Sequence, residues 1–241
     1  MDNYWAERAK RYDNLDWVKD GAFLSLIIDA GEFSPADRVL DVGTGTGIIS
    51  RLLSPLVRHV TAIDSSPDML NKTDGLCNVD YRLCDVRDLP WKADAFDKVV
   101  ARYVFHHITL GASKAMAECY RVLRPNGIMV FAEGVPPSNR TRQDFIDIFK
   151  LKEDRLTFMP EDMYVMMHQA GFETVVMHTL WLPQMSVRNW LESSDLSRER
   201  QDTIYRMHIN APDYFKQDYH LTIDGDDCRI NMKVVVMAGV K

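Results

Sequence analysis

Between positions 41 and 47 the chain reads Asp41-Val42-Gly43-Thr44-Gly45-Thr46-Gly47, three glycines at alternate positions with an acid two residues before the first. Glycine takes positive φ at little steric cost, and its missing Cβ lets a ligand lie against the backbone. Ahead of the run, Val39-Leu40-Asp41-Val42 has the apolar density of a short buried strand; behind it, Ile48-Ile49-Ser50-Arg51-Leu52-Leu53 has the pattern of a helix. A helix start supplies unpaired N–H groups and the positive end of a dipole. Strand, glycine-rich turn and helix in this order make a place for a nucleotide-type ligand, at the carboxyl end of a parallel strand.

The surrounding sequence can supply such a sheet. Strand candidates at 38–42, 59–63, 79–83, 98–102 and 128–132 alternate with helix candidates at 47–53, from 67 onward and at 112–122. That alternation predicts βαβ units and hence a Rossmann-like α/β fold, mostly parallel. Beyond Glu133 the rhythm changes. Pro136-Pro137-Ser138-Asn139 is a turn, 141–150 and 161–170 read as amphipathic helices, and Gly171 is placed as a helix C-cap. A strand at 173–182, a mostly helical stretch at 186–214 and a last strand at 229–238 follow.

With 241 residues, 46% of them hydrophobic, the chain is long enough for one substantial α/β domain with a small cap. The net charge of −6, with Lys and Arg scattered, argues against nucleic acid or an anionic membrane as the main partner. The start Met1-Asp2-Asn3-Tyr4-Trp5-Ala6-Glu7-Arg8 carries charges where a leader peptide needs an apolar stretch. No run approaches the roughly 18 apolar residues of a membrane span. Cys77, Cys84, Cys119 and Cys228 show neither metal-ligand spacing nor a disulfide framework. A cytoplasmic protein is the expectation.

The glycine spacing separates two nucleotide chemistries. A dinucleotide fingerprint sets its third glycine three residues after the second, clearing a pyrophosphate, whereas Gly43, Gly45 and Gly47 alternate. With the preceding acid, they resemble motif I of the class I S-adenosylmethionine (SAM)-dependent methyltransferases. Three further stretches stand where that resemblance requires them. Ile63-Asp64 closes the second strand candidate and is followed by Ser65-Ser66-Pro67-Asp68-Met69-Leu70; Cys84-Asp85-Val86-Arg87-Asp88-Leu89-Pro90-Trp91 closes the third. Glu118-Cys119-Tyr120-Arg121-Val122-Leu123-Arg124-Pro125-Asn126-Gly127 matches the helix-to-strand turn of the family, with Asn126 replacing the commoner glycine. Asn tolerates left-handed backbone, so the departure is mild.

The resemblance covers roughly residues 5 to 133 and is nearest to the small-molecule branch typified by ubiquinone/menaquinone-biosynthesis methyltransferases. It implies a seven-stranded sheet whose last strand is antiparallel, helices on both faces, and a small helical cap. One domain over 1–241 is implied, with an N-terminal helical lid in 1–30 and substrate-facing segments within 135–215. SAM is the implied cofactor, with no metal. Its holders would be Asp41, Gly43, Thr44, Gly45 and Gly47 in the turn, Asp64 on the ribose, Ser65 and Met69 beside it, Asp85 and Val86 on the adenine, and Arg102 and Tyr12. Asp64 also suits a helix N-cap, and Trp5, Tyr12 and Trp17 suit ordinary helix packing as well as a lid.

Methyl transfer asks the protein to align donor and acceptor and to exclude water. A base is needed only if the acceptor must lose a proton. In Tyr103-Val104-Phe105-His106-His107-Ile108, His107 or His106 could take one, or could simply bond backbone. Glu133 would face the acceptor, orienting a hydroxyl or amine, or else pair with Arg102. Arg140, Arg142 and Arg155 would hold an acidic group or stay at the surface. Met163, Met166, Met167, Trp181 and Met185 would line an adaptable pocket or fill the core. The partner expected is a small-molecule substrate, with no nucleic acid and no membrane, and a homodimer left open. The rival readings are a SAM-binding protein without turnover, an NAD(P)-dependent oxidoreductase, and methylation of protein or RNA.

Overall fold

The structure, a computed structural model, describes residues 4–73 and 75–241. Met1, Asp2 and Asn3, the start of the expected lid and of the charged segment read against a leader, lie outside the described residues.

The chain opens with α1 (Tyr4–Arg11), two short 3-10 turns, and α2 (Gly21–Gly31), whose N-cap Asp20 accepts from the backbone N–H of Phe23 at 2.9 Å. Then come β1 (Arg38–Val42), α3 (Ile48–Leu53), β2 (His59–Asp64), α4 (Pro67–Leu70), β3 (Val79–Leu83) and β4 (Phe96–Arg102). After a 3-10 turn at Phe105–His107 follow α5 (Ala112–Val122), β5 (Leu123–Val135), α6 (Arg142–Lys152) and α7 (Pro160–Ala170). The last third holds β6 (Thr174–Ser186), α8 (Val187–Glu192), α9 (Arg198–Ile209), α10 (Asp213–Asp218), β7 (Thr222–Asp224) and β8 (Asp227–Val240).

The strands lie in the order β3-β2-β1-β4-β5-β8-β6, with β7 on β8. β1 to β5 pair in parallel, and β8 runs antiparallel to β5, β6 and β7. This is a Rossmann-like methyltransferase sheet with eight strands instead of seven. The additional strand is half of a tight hairpin, Asp224-Gly225-Asp226-Asp227, in which Gly225 takes φ +60°. An Asp-Gly pair between strands is itself a hairpin signal.

Strand periodicity sorts the core into two faces. Val39, Val100 and Val130 join Phe23 and Ile27 of α2 and Ile49 and Leu53 of α3. Leu40, Val99 and Met129 join Met116 and Cys119 of α5 and Met163 and Met167 of α7. Both faces are covered, which is why the central strands read as nearly unbroken apolar runs. Each fully buried Phe, Ile or Leu adds about 1.5–3 kcal/mol relative to exposure. Phe145, Ile148, Val187, Leu191, Ile204 and Phe215, from α6, α8, α9 and α10, extend the α2 side. The chain direction reverses between β1 and β4, and a crevice opens there at the carboxyl ends of the strands. Among the described residues, no helix is long and apolar enough to cross a membrane.

Candidate active site

At the end of β1 the backbone enters the left-handed region three times, with φ +62° at Gly43, +57° at Gly45 and +83° at Gly47. Each glycine has its own reason. A Cβ on Gly43 would lie 2.4 Å from Val104 Cγ2, and one on Gly47 would lie 2.9 Å from the Tyr81 hydroxyl oxygen. A Cβ on Gly45 would meet nothing within 4 Å, because this residue borders a cavity. Gly47 is outside that lining; contrary to the sequence expectation, its place is the N-cap of α3 and the approach of Tyr81. Gly43→Ala should accordingly cost about 2–4 kcal/mol of stability, from strain plus the Val104 clash. Chemical denaturation reads this directly, and a loss below about 0.5 kcal/mol would contradict the packing.

Two carboxylates secure the turn. Asp41, buried beneath it, accepts from the hydroxyls of Thr44 at 2.7 Å and Ser50 at 2.6 Å. Burial pushes its carboxyl up to about 6 against the pull of those two hydrogen bonds. Asp64, at the end of β2, accepts from the backbone N–H groups of Gly45 and Ser66, both at 2.9 Å, and desolvation raises its pKa. The N-cap of α4 is Ser66, followed by Pro67 at a helix start suited to it. Asp64 thus keeps its carboxylate at the cavity while bracing the turn.

The cavity encloses about 470 Å³, within the range of small-molecule sites. Its first half is lined by Asp41, Gly43, Thr44, Gly45, Asp64, Ser65, Met69, Asp85, Val86, Arg102 and Tyr12. All the expected cofactor residues except Gly47 are therefore brought together. Asp85 has an unforeseen partner: Arg87 donates to its carboxylate through Nε at 3.0 Å and Nη2 at 2.6 Å, and also to the Leu110 carbonyl at 3.0 Å. These bonds hold the Asp85 carboxyl below the usual carboxylate range. Asp88 sits in the turn, its N–H donating to the Asp85 carbonyl at 3.1 Å. Trp5, Arg8 and Trp17 also line the cavity, so the aromatic N-terminal segment both packs and covers. Trp17 stands edge-on to Tyr103 at 5.0 Å, and Tyr103 itself takes φ +58° as the chain leaves β4.

The second half lies beyond His106 and His107 and is walled by residues such as Phe145, Phe149, Trp190 and Tyr219. His107 meets Trp5 edge-on at 4.8 Å. Burial holds both imidazoles well below their ordinary pKa, so both are neutral near pH 7. Glu133 does not face the acceptor side, as the sequence suggested. It is fully buried in β5, paired with His106 Nδ1 at 2.6 Å, and accepts from the His106 N–H at 3.2 Å. Desolvation pushes its carboxyl up to about 8. Nor does it pair with Arg102, whose guanidinium donates to the Val18 carbonyl at 2.6 Å.

Three cap arginines of identical type in the sequence are sorted by the fold. Arg140 pairs with Asp218 and Arg142 with Asp162, both at the surface, whereas Arg155 lines the cavity. Of the methionines and Trp181, Met185 lines it; Met163 and Met167 belong to the core, Met166 packs against the core, and Trp181 is partly exposed on β6. Sequence reasoning gave no role to Lys152, Glu153 or Arg8, which meet in the second half across 145 residues of chain. His106, His107 and Glu153 offer ligand atoms within 4.8 Å of one another, a grouping no sequence spacing marks. The Glu153 oxygens already face Arg8, Lys152 and Arg155, so a divalent cation there would meet three like charges.

Residues 40–131 match the family described as a methyltransferase domain. The uncharacterized methyltransferase YcgJ of Bacillus subtilis (strain 168) is 22% identical over 250 residues, 98% of this chain and 97% of that protein. Its crystal structure superposes with a TM-score of 0.81, covering 90% of this chain and 97% of the other, a likeness of fold. The ubiquinone/menaquinone biosynthesis C-methyltransferase UbiE of Desulfotalea psychrophila is 30% identical over 150 residues. That match takes in 58% of this chain and 61% of the relative, so the chain spans under two thirds of it.

Proposed function

This chain is a class I SAM-dependent methyltransferase, and from that premise we propose that it passes the methyl of SAM, in line, to a small organic acceptor. One observation carries the reading: a single cavity runs from the glycine turn, past the two histidines, into the aromatic chamber. Donor and acceptor can be held end to end there with water shut out, which is the main demand of the reaction.

In this reading the backbone at Gly43 and Gly45 lies along the methionine part of the cofactor. Asp64 takes the ribose hydroxyls, Met69 and Val86 border the adenine, and Asp85 shares its carboxylate between the adenine amino group and Arg87. Ser65, Thr44, Asp41, Arg102 and Tyr12 complete the cradle. The N-terminal segment, 1–30, is the lid, and 135–215 supplies the acceptor's surroundings, all within one domain. SAM supplies an electrophilic methyl on a sulfonium; the positive charge vanishes as the thioether forms, so an aromatic chamber does not oppose the step. His106 stands beside the acceptor in a fixed orientation. With Glu133 protonated below about pH 8, its Nδ1 accepts from the carboxyl and its Nε2 is the protonated nitrogen. It is then a hydrogen-bond donor to the acceptor, and becomes a base only as Glu133 ionises.

Incubation with SAM and candidate acceptors, followed by S-adenosylhomocysteine (SAH) release, tests turnover; titration with SAH and with NADH separates the cofactor classes. NADH uptake without SAH uptake would end this reading. Asp64→Ala should weaken SAH binding by about 1.5–3 kcal/mol, the scale of charge-assisted hydrogen bonds. A calorimetric change of only a few tenths would confine Asp64 to bracing the turn.

A further inference from the structure

The chamber beyond the histidines holds more positive than negative charge. Arg8 enters from α1 and Lys152 from the end of α6, with Arg155 just after it. Glu153 stands between them, 3.0 Å from Arg8 Nη1, 2.9 Å from Lys152 Nζ and 3.6 Å from Arg155 Nη1. All four are withdrawn from water, with side-chain exposures of 14%, 3%, 8% and 4% for Arg8, Lys152, Arg155 and Glu153. Among the described side chains, three cations face one carboxylate. The neighbours do not restore the balance: both histidines are neutral, and Glu133 carries its proton. The other carboxylates in the lining, Asp41, Asp64 and Asp85, belong to the glycine-turn half. Lys152 is pulled down to about 8 by burial and by Arg8 and Arg155, yet stays largely charged at neutral pH.

Arg155 is also held in place. Its guanidinium lies 4.2 Å from the centre of the Phe149 ring and 5.3 Å from that of Phe145, and its Nε donates to the Leu156 carbonyl at 3.1 Å. A planar fork stacked in this way loses little freedom when it binds a planar or tetrahedral anion. Excess buried charge costs several kcal/mol unless a counter-charge arrives. Building on the methyltransferase reading above, we propose that Arg155, Arg8 and Lys152 form a subsite for an oxyanion of the acceptor, a carboxylate or phosphate on an apolar body. A cationic amine would meet like charges here. The competing claimant is the carboxylate of SAM itself, for which Arg102, close enough to Asp41 to lower its pKa, stands in the other half.

The test is calorimetric titration of the SAH-loaded protein with benzoate, phenyl phosphate and benzamide. At least one oxyanion should bind about tenfold or more tighter than benzamide, the scale of a charge-assisted contact, and which one does identifies the group. Arg155→Gln and Arg8→Gln should each remove that advantage, with SAH affinity within about twofold of the unaltered chain, while Arg155→Lys retains part of it. Should Arg155→Gln fail to fold, Arg8→Gln decides, since α1 contributes little to the two main cores. Equal binding of all three compounds, none detectable included, overturns the subsite. An equal loss of SAH affinity in both folded variants overturns it too, assigning the cluster to the cofactor. If the unaltered chain takes up no SAH, the methyltransferase reading itself falls; SAH uptake without oxyanion preference sinks the subsite alone.

Discussion

In a Gly45→Val chain, SAH binding is expected to fall by about a hundredfold or more, close to 3 kcal/mol, while the sheet remains folded. The space a side chain would take at this position contains no protein atom within 4 Å, because it belongs to the cavity. A valine there therefore displaces ligand and leaves the core untouched. Some stability is lost as well: φ of +57° is strained for any L side chain, at about 1–2 kcal/mol. Gly43 cannot serve in the same experiment, since Val104 fills its surroundings and the fold would suffer first. Far-ultraviolet circular dichroism and a thermal melt establish folding, and calorimetry gives the affinity. A folded variant with undiminished affinity would place the cofactor elsewhere.

Replacement of Glu133 by leucine is expected to cost about 3–5 kcal/mol, the largest stability effect anticipated for a single residue here. The carboxyl is paired with the ring nitrogen of His106 and accepts backbone N–H groups from the same turn, all out of contact with water. Leucine matches it in bulk and leaves those partners unsatisfied. Glu133→Gln keeps an acceptor and a donor in place, so most of the loss should be recovered. Comparison of that variant with the unaltered chain isolates one titration. The carboxyl shifts from 4.5 when unfolded to about 8 when folded. The folded state therefore holds a proton that the unfolded state has released. This contribution is complete at low pH, and relative to Glu133→Gln the stability falls as pH rises from about 5 to about 8. Denaturation of both chains across that window checks it; parallel profiles would mean that the carboxyl titrates normally.

What could be seen in the sequence was what depends on near neighbours. The glycine turn, Ser66 and Pro67 at a helix start, and Gly171 at a helix end are set within a few residues, and each stands as expected. Asn126 does take the left-handed conformation that a glycine usually supplies, with φ +60°. The central strands were legible because burial on both faces leaves little room for polar residues. The short strand Thr222–Asp224 was missed although its Asp-Gly turn announced it. Glu133 and His106 were found as candidates but not as a pair, since only the register of β5 against β4 brings positions 27 apart together. Arg140, Arg142 and Arg155 look alike in one dimension; which of them enters the chamber depends on how α6 meets the sheet. No local pattern could have joined Arg8 to Glu153.

The three-glycine segment is fastened on several sides by the protein alone. Thr44 N–H donates to the Ile63 carbonyl at 2.9 Å, Gly45 N–H donates to Asp64, and the Thr44 hydroxyl donates to Asp41 below. Folding has already spent the entropy of shaping this loop. An arriving adenosyl group thus finds a rigid mould, and its contacts are converted into affinity with little deducted for ordering the chain.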